Sequence, residues 1–170
     1  MEIIPLTKEH RKSLIALYRV VTAELRRSGI DQWDWIYPNR FTISGDIRKG
    51  IVYGIVEQGR VSGAIVIDRA SPASGSGASP GAVPSWSINR LAVLPDMQGR
   101  GIGGRLLRFG EDFIRGAGGT LIRLEVYSGN PHAFGMYQRA GYGQVGESRY
   151  PFRKLPYFVY EKALLEDLAQ

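Results

Sequence analysis

Apolar residues recur along the chain at two spacings, one typical of helices and the other typical of strands. Residues at helical spacing follow Thr7 and predict a first helix that ends at Gly29. The predicted helices cover about 8–28, 42–49, the stretch from the glycines at 101–104 to 115, and 130–141. The predicted strands cover about 2–4, 51–57, 60–68, 85–94, 120–127, 142–147 and 156–162.

This order of elements predicts an α/β (α+β) fold with a mixed, mostly antiparallel sheet and helices on both faces. Gln58-Gly59 is a hairpin signal between two of the strands. We expect the strand at 120–127 to be covered on both sides. The stretch 70–84 is rich in Ser, Gly, Ala and Pro and predicts a flexible surface loop. Because nothing marks a domain boundary there, we expect one domain over residues 1–170.

The composition narrows the class of protein. The chain has 170 residues, of which 44% are hydrophobic and 22% are charged, as is typical of a globular domain. No apolar run approaches the length of a membrane span, and the first residues lack the basic and apolar regions of a signal peptide. Cysteine is absent, which excludes disulfides, thiolate metal sites and cysteine nucleophiles. We therefore expect a cytoplasmic protein.

The formal net charge of +6 leaves two interpretations open. It fits a basic surface that keeps the protein soluble, or attraction of a polyanionic small ligand or nucleic acid. The arginines are scattered and no nucleic-acid-binding signature is present, so we expect no nucleic-acid partner. The spacing of His10 and His132 does not suggest a metal pair, and we expect no metal site.

A glycine-rich arc joins the third predicted helix to the strand before it. Gly101, Gly103 and Gly104 fall in the first turn of that helix, where each glycine costs up to about 1 kcal/mol relative to alanine. Such a cost suggests that a ligand approaches the backbone closely. The amides and dipole of a helix N-terminus attract anions, and Arg100 and Arg105 flank this one. The pattern predicts a bound phosphate.

Two motifs together resemble one family. Gln98-x-x-Gly101-x-Gly103 resembles the acyl-coenzyme A loop of the GNAT N-acetyltransferase superfamily, which reads Gln/Arg-x-x-Gly-x-Gly/Ala. The second motif, about 30 residues further on, reads Asn130-x-x-Ala133-x-x-x-Tyr137-x-x-x-Gly141-Tyr142. The two motifs occur in the order that the family shows, and the predicted elements agree over nearly the whole chain.

The resemblance implies a six- to seven-stranded GNAT-type sheet whose central strands splay apart at a bulge. Acetyl-CoA would lie between the strands that end at Leu94 and Tyr127, with its pyrophosphate on the amides of 98–104. A main-chain N–H near Val93 would stabilise the oxyanion, and Tyr137 would return a proton to the thiolate. The coenzyme-binding residues that the resemblance implies are Leu91, Ala92, Val93, Gln98, Gly99, Arg100, Gly101, Ile102, Gly103, Gly104, Arg105, Asn130, Ala133 and Tyr137.

Other interpretations of these residues stay open. Gly99-x-Gly101-x-x-Gly104 also satisfies a dinucleotide fingerprint, although the turn is too far from its strand and repeated βαβ units are missing. Asn130 either contacts the pantetheine arm or only caps a helix before a proline. Tyr137 is either the acid or a core tyrosine.

The general base is unassigned. Many GNAT relatives place a glutamate on the strand before the glycine loop, but the comparable stretch 86–89 has no carboxylate. Glu125 is one substitute, unless it is paired with Arg123 or Arg149. A water relay held by Ser87 or Asn89 is another.

The aromatic stretch 33–37 either lines the acceptor pocket or anchors the connection between the first two helices. Asp31 and Asp34 could attract a cationic amine. The resemblance thus implies an acetyl-CoA-dependent N-acetyltransferase acting on a primary amine, and we favour a small molecule. The alternatives are a protein N-terminal or lysine acetyltransferase and a non-catalytic acyl-CoA-binding module. Many relatives pair, so a homodimer is also expected.

Overall fold

The computed structural model describes residues 1–70 and 84–164 and shows the predicted order of elements. The strands are β1 (Ile3–Pro5), β2 (Val52–Glu57), β3 (Arg60–Arg69), β4 (Trp86–Val93), β5 (Leu121–Tyr127), β6 (Gly143–Ser148) and β7 (Tyr157–Ala163). The helices are α1 (Arg11–Arg27), α2 (Arg40–Lys49), α3 (Ile102–Gly116) and α4 (Pro131–Arg139). The loop predicted at 70–84 lies almost entirely outside the described residues.

The strands form one seven-stranded sheet in the order β1-β2-β3-β4-β5-β7-β6. Only β4 and β5 run parallel, and every other neighbouring pair is antiparallel, which confirms the mixed, mostly antiparallel sheet. The hairpin signal is also confirmed, because Gln58 and Gly59 connect β2 to β3 with φ angles of 51° and 77°.

Helices cover both faces of the sheet, and each face has its own core. On one face, Leu14 and Leu17 of α1 pack with Ala64 and Val66 of β3. On the other face, α3 packs against the alternate residues of β3, such as Ile65. Because β3 is apolar on both faces, it forms the centre of the molecule.

The prediction that the fifth strand is covered on both sides is wrong. Ile122, Leu124 and Val126 are buried against α3 and α4, whereas Arg123 and Glu125 on the opposite face are exposed. The reason is the position of α1, which packs on β3 and β4 and leaves this face of β5 open.

A bulge in β4 separates the two central strands. Four residues of β4, from Asn89 to Ala92, lie opposite three residues of β3, from Ala64 to Val66, and Arg90 has a φ of 47°. β4 and β5 pair only at Trp86 with Ile122 and at Ser87 with Arg123. Beyond these pairs the strands part, as the splayed sheet predicted from the family resemblance requires.

Side chains from three elements hold the bulge in place. The Arg90 guanidinium forms a bidentate ion pair with Asp46 of α2, with N–O distances of 2.8 and 3.0 Å. It also donates to the Tyr37 hydroxyl at 2.7 Å. The Arg90 carbonyl accepts a hydrogen bond of 2.8 Å from Tyr18 of α1. The bulge is therefore tied to the connection between α1 and α2.

Candidate active site

The parted strands open into a cleft of about 1360 Å³. The start of α3, α4, the connection between α1 and α2, and the connection between β6 and β7 form its walls. Most of the residues predicted to bind the coenzyme lie together along it. They are Leu91, Ala92, Val93, Gln98, Gly99, Gly101, Ile102, Gly103, Gly104, Asn130, Ala133 and Tyr137.

The N-terminus of α3 presents free amides to this cleft. Its cap is Gly101, at a φ of 76°, which brings no side chain to bond the first amides. The first helical hydrogen bond runs from Arg105 to the Gly101 carbonyl, so the amides of the first turn have no partner within the helix. A Cβ added to Gly104 would have only the Arg108 guanidinium within 4 Å. The geometry therefore suits a bound anion.

The two arginines predicted to flank this anion do not line the cleft. Arg105 donates to the carbonyl of Met1, because its position on α3 turns it away from the Gly104 face. Arg100 lies in the exposed turn before the helix. Arg108 lines the cleft instead, four positions after Gly104 and so on the same helical face. The i, i+4 spacing is the sequence signal for this residue.

The register of β4 and β3 decides which backbone groups face the gap. Leu94 donates its N–H to the Ser62 carbonyl at 2.9 Å, so the alternation of an antiparallel pair turns Ala92 toward β3 as well. Ala92 therefore lines the cleft without offering it a free backbone group. Val93 faces the gap, where its carbonyl accepts the Gln98 amide at 3.0 Å and its N–H has no β5 partner.

Tyr137 and Asn130 place α4 against the cleft. Tyr137 is 8% exposed, and burial raises the pKa of its phenol. Within the described residues its hydroxyl has no hydrogen-bond partner, although the residue lines the cleft. The Asn130 side chain caps α4 by accepting the Ala133 amide at 3.2 Å and donates to the Gln32 side chain at 2.8 Å. The predicted cap is therefore present, and contact of Asn130 with the pantetheine arm stays a prediction.

Of the three carboxylates that line the cleft, one has no cationic partner in the described part of the chain. Glu24 pairs with Arg27, and Glu111 with Lys162 at 3.1 Å. Glu125 accepts a hydrogen bond from the neutral hydroxyl of Tyr150.

The ion pairs proposed for Glu125 from the sequence are absent from the described residues. Arg123 bonds to Glu161 of β7 instead, because β5 pairs with β7 in register. Asn89 donates to the Ser87 hydroxyl at 3.0 Å and lines the cleft. The water relay through these two residues stays a prediction.

Comparison with known proteins agrees with this geometry. The model of the acetyltransferase (GNAT) family matches residues 14–142, more than half of the chain. This chain belongs to the GNAT acetyltransferase family.

Two relatives and two solved structures are similar to this GNAT chain. It is 30% identical over 148 residues to the uncharacterized N-acetyltransferase YesJ of Bacillus subtilis, a match that covers 84% of this chain and 81% of YesJ. It is 40% identical over 68 residues to the N-alpha-acetyltransferase RimI of Mycobacterium tuberculosis, a match covering 40% of this chain and only 41% of RimI.

A GNAT-family acetyltransferase of Streptococcus agalactiae has the same fold, with a TM-score of 0.78, 21% identity, and coverage of 97% of this chain and 96% of that one. The PaiA N-acetyltransferase of Thermoplasma acidophilum, solved in complex with coenzyme A, has a TM-score of 0.72 and 18% identity and covers 96% and 98% of the two chains.

In this GNAT protein the residues of the aromatic stretch 33–37, between α1 and α2, lie in two different environments. Trp33 is buried and lines the cleft together with Tyr37. Trp35 is 86% exposed and, like Ile36, lies outside the cleft. Trp33 also packs on Tyr18 of α1 and so anchors the connection, whereas the acceptor-pocket interpretation stays a prediction.

The aspartates predicted to attract an amine are already paired. Burial alone would raise the pKa of Asp34, but hydrogen bonds from the Tyr37 and Ile36 amides and from Arg153 outweigh it and lower the pKa. Arg153 reaches Asp34 at 2.9 Å. Asp31 lies 3.4 Å from Arg26.

Several cleft residues come from the connection between β6 and β7, which sequence reasoning missed. Tyr150, Phe152 and Arg153 lie in this connection, and Tyr157 begins β7. The Tyr157 hydroxyl donates to the Gln32 carbonyl at 2.9 Å. Dense aromatic residues over 150–158 were the available signal, but spacing alone does not connect them to the cleft.

No helix among the described residues is long and apolar enough to cross a membrane.

Proposed function

We propose that this GNAT protein transfers the acetyl group of acetyl-CoA to the primary amine of a small molecule. The observation that carries the proposal is the cleft between β4 and β5. At one end it has the uncapped amides of α3, and at the other it has Glu125, a carboxylate without a cationic partner in the described chain.

The residues of the cleft fit acetyl-CoA, which supplies the acetyl group as a thioester. The amides at the start of α3 and the Arg108 guanidinium would hold its diphosphate, since both offer donors to an anion at one place. The open edge of β4 would hold the pantetheine arm, and the Val93 N–H would donate to the thioester carbonyl. PaiA, which shares the fold, binds coenzyme A in its solved structure.

Glu125 and Tyr137 approach the gap from opposite faces of the sheet, which suits the two proton transfers. Glu125 lies on the face that α1 and its following connection flank, and there it would accept a proton from the acceptor ammonium. The freed amine attacks the carbonyl carbon, a C–N bond forms, and the C–S bond breaks. The nitrogen then loses its second proton, which makes up for the proton that the departing sulfur takes. Tyr137, on the α4 side, would donate its proton to the departing sulfur. Its raised pKa keeps the phenol protonated at neutral pH.

The acceptor end favours a small molecule over a polypeptide. Two contacts join the α1–α2 connection to the far side of the cleft, from Arg153 to Asp34 and from Tyr157 to the Gln32 carbonyl. We infer that these contacts narrow the space that an extended peptide would need. The similarity to RimI over 68 residues supports the second candidate, a protein N-alpha-acetyltransferase.

An acceptor screen tests the proposal. The protein is mixed with acetyl-CoA and a panel of small primary amines and peptides with free N-termini, and the released thiol is measured. We expect turnover with small amines, and a loss of about 10²- to 10⁴-fold in kcat/KM for Glu125→Gln. Glu161→Gln is the matched control, because Glu161 bonds to Arg123 outside the cleft. Turnover with peptides alone would support the second candidate. Binding of acetyl-CoA with no turnover on any amine would support the non-catalytic module.

The homodimer and the cytoplasmic location stay predictions.

A further inference from the structure

The charged side chains at the acceptor end of the cleft neutralise one another, with one exception. Arg90 is paired with Asp46, and Arg153 with Asp34. Glu24 is likewise paired with an arginine, as described above. Among the four charged residues that we assign to this end, Glu24, Arg90, Glu125 and Arg153, Glu125 alone has no partner of opposite charge in the described chain. The cleft arginines without an ion pair among the described residues, Arg108 and Arg139, lie on α3 and α4. The acceptor end therefore offers one uncompensated negative charge and no uncompensated positive charge.

A group of aromatic rings lies on one side of that single carboxylate. The rings of Tyr150 and Tyr127 both pack against Tyr157, with centroid distances of 5.2 Å in each case. Tyr150 donates its hydroxyl to Glu125, which fixes this aromatic group beside the charge. Across the cleft stands Tyr37, held by its hydrogen bond from Arg90.

The mouth of the cleft continues this apolar lining to the surface. Phe152 lines the cleft and is 96% exposed, and Tyr150 beside it is partly exposed. Other exposed apolar side chains, such as Trp35, lie outside the cleft, whereas Phe152 lies where the apolar part of a bound ligand would cover it. The rim is continuous with the site at which Glu125 would hold the amine.

We propose that the acceptor is a small amine with a single positive charge on an aromatic or bulky apolar body, an arylalkylamine in chemical class. The inference rests on the proposed function. Glu125 binds the ammonium, the tyrosine rings contact its charge and the carbon next to it, and Phe152 covers the apolar body. A diamine would find no second unpaired carboxylate for its other charge, and an amino acid would find no free cation for its carboxylate.

The experiment compares kcat/KM for 2-phenylethylamine, ethanolamine, 1,4-diaminobutane and phenylalanine. We expect 2-phenylethylamine to exceed each of the others by at least about tenfold, because an apolar pocket discriminates by that factor per small group. Phe152→Ala should reduce this preference several-fold. Trp35→Ala should leave it unchanged, since Trp35 is equally exposed but lies outside the cleft. Preference for the diamine or for phenylalanine, or an unchanged preference in Phe152→Ala, overturns the inference.

Binding measurements separate this inference from the proposed reaction. Calorimetry with 2-phenylethylamine and ethanolamine on protein saturated with coenzyme A reports the acceptor site without turnover. Selective binding of 2-phenylethylamine that Glu125→Gln weakens supports the inference even where no acetyl transfer occurs. Equal binding of the two amines overturns it, whatever the activity of the protein.

Discussion

Arg105 and Arg108 are three positions apart on α3, yet only Arg108 faces the cleft. The difference lies in their direction from the helix axis, since Arg108 follows Gly104 by one turn and Arg105 does not. Arg105 bonds to the carbonyl of Met1. The two side chains therefore form a natural pair for testing whether position, rather than charge alone, determines coenzyme affinity.

We expect Arg108→Ala to weaken coenzyme A binding about tenfold, because a hydrogen bond to a charged group contributes about 1.5 kcal/mol. Arg105→Ala, which removes the same charge from the same helix, should change the dissociation constant much less. Calorimetric titration with coenzyme A measures both. Equal losses in the two variants would mean that only the overall positive potential matters.

Tyr137 is the other residue whose chemistry can be isolated. We expect Tyr137→Phe to lower kcat by about 10²- to 10⁴-fold, because the leaving sulfur loses its proton donor while the buried ring stays in place. Tyr142→Phe is the control, since its buried hydroxyl also lacks a partner in the described chain but lies outside the cleft. Rates with a substrate found in the acceptor screen decide the matter. An unaltered rate in Tyr137→Phe would rule out the acid role.

At the scale of elements, the bulge of β4 makes the cleft and α2 stabilises the bulge. The Arg90–Asp46 pair is almost fully buried, and burial raises the pKa of Asp46 despite its bond to Arg90. A buried ion pair is costly to break from one side only, since the remaining charge is left without a partner. The helix and the bulge are thus joined by a contact that requires both residues.

We expect Arg90→Ala and Asp46→Ala each to lower the free energy of unfolding by about 3 kcal/mol, and the double variant to lose less than the sum. Urea unfolding of the four proteins measures the cycle. Asp96→Ala is the reference, because its pair with Arg60 is exposed and contributes at most about 1 kcal/mol. Additive losses in the cycle would show that the two residues act independently.

The ion pair between Asp34 and Arg153 joins the α1–α2 connection to the β6–β7 connection, and it predicts that the stability of the protein depends on pH. Because the pKa of Asp34 is lower in the folded protein than its ordinary value of 3.8, its contribution to stability is complete above that value and is lost as the pH falls through the folded pKa. We expect Asp34→Asn to be less stable than the wild type at pH 7 and pH 5, and the difference to shrink at pH 3. Urea unfolding at the three pH values tests this, and a constant difference would contradict it.

Local patterns predicted the elements well and the contacts between distant segments poorly. The cap at Asn130 and the hairpin at Gln58 depend on neighbouring residues, so the sequence determines them directly. The bond from Arg153 to Asp34 joins positions 119 apart and depends on β7 lying next to β5. The open face of β5 likewise depends on where α1 packs. These features arise from the order of strands, which periodicity does not encode.

In the candidate site, too, features set by neighbouring residues were predicted and contacts between distant segments were not. The anion site at the start of α3 was predicted from the sequence, because glycines there leave the backbone amides open to a ligand. The sequence left Glu125 open between a general base and a carboxylate paired with Arg123 or Arg149. Its hydrogen bond from Tyr150 was not foreseen, since Tyr150 is 25 positions away in a connection with no regular spacing. The acceptor end is formed by the α1–α2 and β6–β7 connections. Which of their residues meet could therefore be determined only from the structure.

At the scale of the whole molecule, stabilisation by a bound coenzyme distinguishes acetyl-CoA from the nicotinamide coenzyme that the glycine pattern also allows. We expect acetyl-CoA to stabilise the protein by about 2.7 kcal/mol at a hundredfold excess over its dissociation constant. That stabilisation corresponds to a rise in Tm of about 5–10 °C for a chain of this size. Thermal unfolding with acetyl-CoA and with NADPH compares the two. Stabilisation by NADPH alone would contradict the coenzyme assignment.

The short pairing of β4 with β5 has a mechanical consequence. Within the described residues, strand pairing joins β1–β4 to β5–β7 at two residue pairs only. A ligand that forms hydrogen bonds to the free edges of both β4 and β5 takes the place of some of the missing hydrogen bonds between these strands. The coenzyme would then both supply the acetyl group and connect the two halves of the sheet. We therefore expect the protein without coenzyme A to be less rigid across this gap than the protein with coenzyme A bound.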